Sequence, residues 1–234
     1  MRWTSLGSAA LLPSVLAAGG GRRLLLWGGP RGRRLSSLAE RATRLWVRLF
    51  VRDLGLCPFV GWVAGETDDL AGLRVVTTGV EGRRPDLVAI ASEVVDEARL
   101  LLEDGPRSTL LLYPALTDFD DYLDAAEAAE EALRGLSLDD RVQLATFHPR
   151  YLFREEGASC ASHWTNRSPF PMLHLLRVED VSRAVESYRR SGGTDAIWRR
   201  NKLTMLSLGT LRLEEMRREV MRRAAEEDGD TSAR

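Results

Sequence analysis

Apolar residues along this chain follow two patterns, which predict helices in some stretches and buried strands in others. Apolar positions recur at the three-to-four-residue spacing of a helix face in 37–53, 86–104, 118–135, 179–190, 194–208 and 211–224. Short, largely apolar runs bounded by turn residues occupy 73–77, 108–113 and 142–147, and this pattern is typical of strands buried in a sheet. Ser37 and Glu40 have the spacing of a capping box, so we expect the first helix to begin there.

The order of these elements predicts the fold class. Strands and helices alternate, and about 30 residues separate one predicted strand from the next. Connections of that length favour parallel pairing of neighbouring strands through helical crossovers. We therefore predict a single α/β domain over about 37–210, with a small, mainly parallel three-stranded sheet and helices packed on it. In such sheets, ligands bind beyond the carboxyl ends of the strands, where His148 follows the third predicted strand.

The two ends of the chain differ in composition from this domain. Residues 1–36 contain six arginines and no acidic residue, a composition typical of a targeting segment for import into an organelle. We expect this segment to be disordered, and we expect import to favour the mitochondrion slightly over the plastid. A short secretory signal and an N-terminal arm without a targeting role are the alternatives. After the domain, we predict an extra charged helix at 211–225 and a disordered polar tail at 226–234.

Charge and composition exclude several functions. Outside the first 36 residues, the chain has 27 basic and 34 acidic residues, so it lacks the excess of positive charge that general nucleic-acid binding requires. No apolar run approaches the ~20 residues that span a membrane. The two cysteines, Cys57 and Cys160, do not form a disulfide framework. No motif specifies a cofactor or an oligomeric state.

Polar groups capable of chemistry are concentrated in 147–177. This segment contains all three histidines of the protein, one of its two cysteines and three of its nine prolines. Such a composition predicts a rigid, irregular loop packed against the core, and binding or catalytic sites are often formed by loops of this kind.

Three residues are candidates for catalysis. His148 is placed to act as a general acid or base, although a histidine that shapes the turn through backbone hydrogen bonds is the alternative. His174 lies in an apolar run and is either a catalytic or a core histidine. Cys57 is a possible nucleophile or a small buried apolar residue. Because Cys57 follows a helix C-terminus, which raises the pKa of a thiol, it would need a nearby histidine or arginine.

A second group of residues is suited to binding a substrate. Asn166, Arg167 and Ser168 provide an amide, a guanidinium fork and a hydroxyl in succession, and these groups suit a carboxylate or a phosphate. The alternative is that Arg167 pairs with a buried acid and fixes the loop. Cys160 and His163 have the spacing of half a zinc site, but no second pair of that kind completes it, so we predict no metal.

Three segments, 55–59, 147–153 and 165–177, resemble an uncharacterised, mainly bacterial family, the domain of unknown function 1415, over about 38–209. The family's motif positions fall on Cys57, Pro58, His148, Pro149, Tyr151, Asn166, Arg167, Ser168, Pro169, His174 and Arg177. Phe170 stands where the family usually has tyrosine, and 159–164 lies outside the pattern. The resemblance implies domain limits and motif residues, and it adds Tyr151 to the substrate-binding candidates. It implies no reaction.

Two classes of function are compatible with these residues. In the first, the protein is a small-molecule enzyme that acts on an anionic substrate in a pocket containing cysteine, histidine and arginine. In the second, it is a non-catalytic ligand-binding or assembly protein, and the motif residues stabilise the loop. The enzyme hypothesis predicts that Cys57, one imidazole of His148 or His174, and the guanidinium of Arg167 line one cavity within roughly 10 Å of each other.

Overall fold

The computed structural model describes residues 30–57, 60, 70–78, 86–103, 105–188 and 193–231. Two predicted features lie outside the described residues. They are the part of the targeting segment before Pro30, and Pro58 of the motif. The helices are α1 (Pro30–Trp46), which continues into a π-helical turn (Val47–Arg52), α2 (Leu87–Leu102), α3 (Phe119–Gly135), α4 (Val178–Tyr188) and α5 (Gly193–Thr231), with a 3-10 turn at Ala161–Thr165. The strands are β1 (Leu73–Thr77), β2 (Ser108–Leu112), β3 (Val142–Phe147) and β4 (Met172–Arg177).

The sheet has four strands in the order β1-β2-β4-β3, and their orientation is mixed. β1 and β2 are parallel and are connected through α2, as the alternating pattern predicted. β4 lies between β2 and β3 and is antiparallel to both. The predicted mainly parallel, three-stranded sheet was therefore wrong in strand number and orientation. Because Pro169 and Pro171 come directly before Met172–Arg177, the sequence predicts a rigid loop there, but a proline just before a strand does not interrupt its hydrogen-bond ladder.

Aspartate side chains begin two of the helices. Asp86 is the N-cap of α2 and accepts a hydrogen bond from the backbone N–H of Val88. Asp118 is the N-cap of α3 and accepts from the backbone N–H groups of Asp120 and Asp121. The cluster of aspartates at this point therefore compensates the exposed N–H groups and the dipole of α3.

The two faces of the sheet have separate apolar cores, because side chains alternate along each strand. α2 and α3 cover one face, where Leu111, Leu173 and Leu175 pack against Ile90, Val94 and Ala126. α1 and the second half of α5 cover the other face, where Leu110, Leu112 and Met172 pack with Trp46, Phe50 and Leu213. All five residues of β2 are buried, as its unbroken apolar sequence predicted.

Helix α5 consists of two helices separated by Gly209, whose φ of 73° and ψ of 158° are not helical. The part after Gly209 packs along α1, where the side chain of Arg41 donates to the carbonyl oxygen of Ala224. The predicted extra helix at 211–225 thus contributes to the core, and α5 continues to Thr231 where we predicted a disordered tail. At the other end, α1 begins at Pro30, before the predicted start at Ser37. In the part of the chain that the structure describes, no helix is long and apolar enough to cross a membrane.

Candidate functional site

A cavity of about 280 Å³ lies along the outer edge of β3. Its apolar wall is formed mainly by β4, α4 and the start of α5, through Leu56, Leu176, Val181, Val185, Ile197 and Trp198. Its polar wall includes Cys57, Glu130, Gln143, Tyr151, Asn166 and Asn201. Neither His148, His174 nor Arg167 is among the residues that line it. The structure thus brings Cys57, Tyr151 and Asn166 to one cavity, but it does not add the two histidines and the arginine to them.

The cavity contains an open segment of the sheet edge. Residues of an antiparallel edge strand direct their N–H and C=O groups alternately towards and away from the neighbouring strand. The outward N–H of Val142 donates to the carbonyl of Leu138 at 2.8 Å, and the outward carbonyl of Thr146 accepts from Asn166 Nδ2 at 3.0 Å. Leu144 lies between these residues with the same orientation. On the outer side of β3, no described residue forms a hydrogen bond with the peptide N–H or C=O of Leu144.

Contacts from α5 position Cys57 at one side of the cavity. Gly55, with a φ of 65°, ends the first helical segment and turns the chain towards Cys57. The side chain of Arg200 donates to the carbonyl of Gly55, and Asn201 Nδ2 donates to the carbonyl of Leu56 at 2.6 Å. Cys57 is half-buried, and its sulfur is not part of a disulfide. The residues of α5 therefore hold the backbone just before Cys57 in place.

The hydrogen-bonding groups of Asn166 and Tyr151 also contact the protein. The side-chain oxygen of Asn166 accepts from the hydroxyl of Thr165 at 3.0 Å, while its Nδ2 is bound to Thr146. The hydroxyl of Tyr151 is 3.1 Å from that of Thr146, and either oxygen can be the donor. These side chains are consequently held in fixed orientations at the wall, which is the condition for a preorganised binding site.

Glu130 is the acidic residue of the cavity. Burial raises its pKa above the usual range, and the nearby charge of Glu127 acts in the same direction, while Arg134 opposes the shift. Glu130, Gln143 and Asn201 are not among the site residues predicted from the sequence, because none of them belongs to a motif. The one available signal was Gln143, a large polar residue inside a largely apolar strand.

His148 lies at the carboxyl end of β3, as predicted, but it is only 1% exposed. Its Nδ1 accepts from the backbone N–H of Arg150 at 3.1 Å, and its Nε2 is 3.2 Å from the carbonyl oxygen of Leu116. Burial is the main cause of its lowered pKa. These contacts are those of the alternative we considered, a histidine that shapes the turn, and they leave no ring nitrogen open to a substrate.

His163 and Cys160 show a comparable arrangement. His163 Nδ1 accepts from the backbone N–H of Phe153 at 3.1 Å, and Nε2 is 2.9 Å from the carbonyl oxygen of Gly157. The thiol of Cys160 is 3.0 Å from the hydroxyl of Ser162 and 3.5 Å from a carboxylate oxygen of Glu156. No group of three or more potential metal ligands is found among the described residues.

His174 is in the middle of β4, opposite Leu110 and Ala145. Its Nε2 is 2.5 Å from the hydroxyl of Ser108, and its ring lies against Phe147. Burial lowers its pKa to about 4, so the imidazole is neutral at physiological pH. A neutral histidine bound to a serine inside the sheet matches the core histidine that was one of our two interpretations.

Arg167 and Ser168 fix the loop from outside the cavity. Arg167 Nε donates to the carbonyl of Tyr151 at 3.2 Å, and its guanidinium lies over the ring of Trp164. The hydroxyl of the buried Ser168 donates to the carbonyl of Phe170 at 2.6 Å. Among the described residues, no acid forms an ion pair with Arg167, so its fixing contacts there are with a backbone carbonyl and an aromatic ring.

The fold and this cavity define a mixed α/β domain with a small-molecule-sized cavity at the edge of its sheet. Residues 38–215 match the model of the family described as "Protein of unknown function (DUF1415)", and the chain belongs to that family. No curated protein and no solved structure matches the chain significantly. The family match supports the resemblance that the motif residues indicated, and it assigns no activity.

Proposed function

We propose that this domain binds a compact small molecule in the cavity at the edge of β3. The observation that carries the proposal is the pairing of an apolar wall with the unpartnered peptide groups of Leu144. The N–H and C=O of an unpaired edge residue are a directed donor and acceptor, and a ligand that fills the apolar cavity can pair with both, as an added strand does. Pockets of this composition, mainly apolar with a few directed polar groups, are typical small-molecule sites.

The cavity wall favours a particular ligand chemistry. The N–H and C=O of Leu144 point in the same direction, so a ligand with an acceptor and a donor side by side, such as an amide or a lactam, pairs with both. Among the described residues, the lining includes the carboxyl group of Glu130 but no arginine, lysine or histidine. The cavity therefore supports a neutral or cationic ligand, and the anionic substrate that we expected finds no basic partner in it.

Fragment binding tests this proposal. Caprolactam and benzamide, titrated into the ¹⁵N-labelled protein, should shift the amide resonance of Leu144 and raise the melting temperature. Benzoate, which has the same ring as benzamide but no donor, should do neither. Val185→Phe places a large ring in the cavity wall and should abolish both effects. Val88→Phe, the same substitution at a valine that is 72% exposed on α2, should preserve them. Equal binding of benzoate, or unchanged binding in Val185→Phe, would contradict the proposal.

A second candidate is an enzyme that uses Cys57 as a nucleophile, because the thiol lines the same cavity. Iodoacetamide labelling separates the two. In a Cys160→Ser variant, a catalytic Cys57 should react faster than free cysteine near pH 7, since a nucleophilic cysteine has a stabilised thiolate. A Cys57 that reacts only after denaturation would end the catalytic hypothesis and leave the binding function intact.

We also propose that the protein is imported into an organelle, the mitochondrion more than the plastid. The support is compositional: residues 1–36 contain six arginines and no acidic residue. Sequencing the N-terminus of the endogenous protein should find a mature end between about residues 30 and 40. An intact Met1 would refute import with cleavage.

A further inference from the structure

The indole of Trp164 organises a group of arginines outside the cavity. Trp164 is 2% exposed and stacks on Phe50, with ring centroids 6.4 Å apart. The Cζ atoms of Arg167 and Arg217 are 5.4 Å and 5.7 Å from the centroid of the same indole. Two positive charges from distant parts of the chain are thus held at a single aromatic ring.

Neither guanidinium forms an ion pair with a carboxylate in the part of the chain that the structure describes. Arg167 uses its Nε for the carbonyl of Tyr151, and no described residue forms an ion pair with Arg167 or Arg217 within 4.0 Å. The pKa of Arg167 is lowered first by burial and then by the charge of Arg217, whereas the charge of Glu214 opposes the shift. Glu214 therefore offsets the repulsion between the two arginines only in part.

We propose that Arg167 and Arg217 form a binding site for a phosphate group at Trp164, separate from the cavity at β3. Two adjacent guanidinium groups match a dianionic phosphate better than a monovalent carboxylate, and their planar N–H forks suit its oxygens. A bound phosphate removes the repulsion between Arg167 and Arg217. This site does not depend on the small-molecule function proposed for the cavity.

Phosphate titrations test the site directly. Inorganic phosphate and phenyl phosphate should each give a binding signal with the full-length protein in calorimetry. Sodium chloride at the same ionic strength should give no such signal. Benzoate serves as the carboxylate probe and should bind more weakly. If only inorganic phosphate binds, the site admits the free ion; if phenyl phosphate binds as well, it admits a phosphate monoester.

Two neighbouring arginines on α5 provide a matched pair of variants. Arg217→Gln should weaken phosphate binding at least about tenfold, because it removes one charged donor from the site. Arg218→Gln removes the same charge one residue later, at an exposed position, and should leave binding unchanged. Arg167→Lys retains the charge but loses the fork, so its affinity should be intermediate.

The opposite results are equally clear. If Arg217 only covers the indole, Arg217→Gln will lower the melting temperature without changing the response to phosphate. If the effect is general screening, Arg218→Gln will lose as much affinity as Arg217→Gln, or chloride will act as well as phosphate. Each of these results would overturn the phosphate site. Should Arg217→Gln fail to fold, Arg167→Lys with unchanged phosphate affinity would overturn it as well.

Discussion

Asn166 donates its side-chain amide to the carbonyl oxygen of Thr146 at 3.0 Å, while its own backbone carbonyl accepts from the N–H of His148 at 3.1 Å. One residue of the long β3–β4 connection thereby holds the connection against the outer edge of β3. This contact closes one end of the open edge segment at Leu144. The motif asparagine therefore shapes the wall of the candidate site.

Replacing this asparagine should destabilise the domain. Asn166→Ala leaves the Thr146 carbonyl without its donor, and we expect a loss of about 1–3 kcal/mol in the free energy of unfolding. Asn166→Asp places an acceptor opposite the Thr146 carbonyl, which should destabilise the variant. The stability of this variant should recover partly on acidification, because the protonated carboxyl can donate to that carbonyl. Urea unfolding at pH 7 and pH 4.5 measures both. A neutral effect of Asn166→Ala would show that the contact is not needed to hold the loop.

The stability of the domain should depend on pH through His174. Its pKa is lowered from 6.5 to about 4 by burial, so between these values the unfolded chain binds a proton that the folded chain does not. Stability should consequently fall as the pH decreases from 7 to 4, by up to about 3 kcal/mol for this group. His174→Gln keeps a partner for Ser108 without a titrating ring, and it should reduce this pH dependence. An unchanged pH profile would contradict the assignment.

Gly209 should be intolerant of a side chain. Its φ of 73° and ψ of 158° lie in a region that is essentially restricted to glycine, so Gly209→Ala should cost about 1–3 kcal/mol. Gly135→Ala, at the end of α3, is the matched control, since a Cβ there meets no atom within 4 Å and φ is not positive. Thermal unfolding of both variants should separate them. Equal melting temperatures would indicate that α5 is not broken at Gly209.

The segment after Gly209 should contribute to the stability of the whole domain. Leu213 is fully buried in the core against α1, and Leu213→Ala should lower the free energy of unfolding by about 2–5 kcal/mol. Leu211→Ala, two residues earlier and 78% exposed, should have a small effect. Similar small effects in both variants would show that the segment after Gly209 does not contribute to the core.

Local sequence signals predicted the elements better than their arrangement. Asp86 and Asp118 precede α2 and α3 because a short acidic side chain caps exposed N–H groups, and this interaction is local. The position of Met172–Arg177 between β2 and β3 depends on partners far away in the chain. An apolar run that directly follows two prolines contains no local indication of that pairing, so its sequence predicts a loop.

The candidate site shows the same division. The cavity is lined by three motif residues, Cys57, Tyr151 and Asn166. It is also lined by three residues that belong to no motif, Glu130, Gln143 and Asn201. The role of the other motif residues was ambiguous in the sequence. The identity of a histidine or arginine does not reveal whether its side chain binds a substrate or a backbone group. The hydrogen-bond partners of His148, His163 and Arg167 are backbone groups, and only the folded chain reveals them.

By itself, the sequence determined the family and the approximate positions of the helices and of three strands, since periodicity, capping and motif spacing are properties of neighbouring residues. The tertiary structure decided the insertion of β4, the open edge at Leu144 and the meeting of Arg167 with Arg217 at Trp164. These features arise from contacts between residues that are distant along the chain. Their free energies depend on the packing of complete helices and strands, which no local pattern specifies.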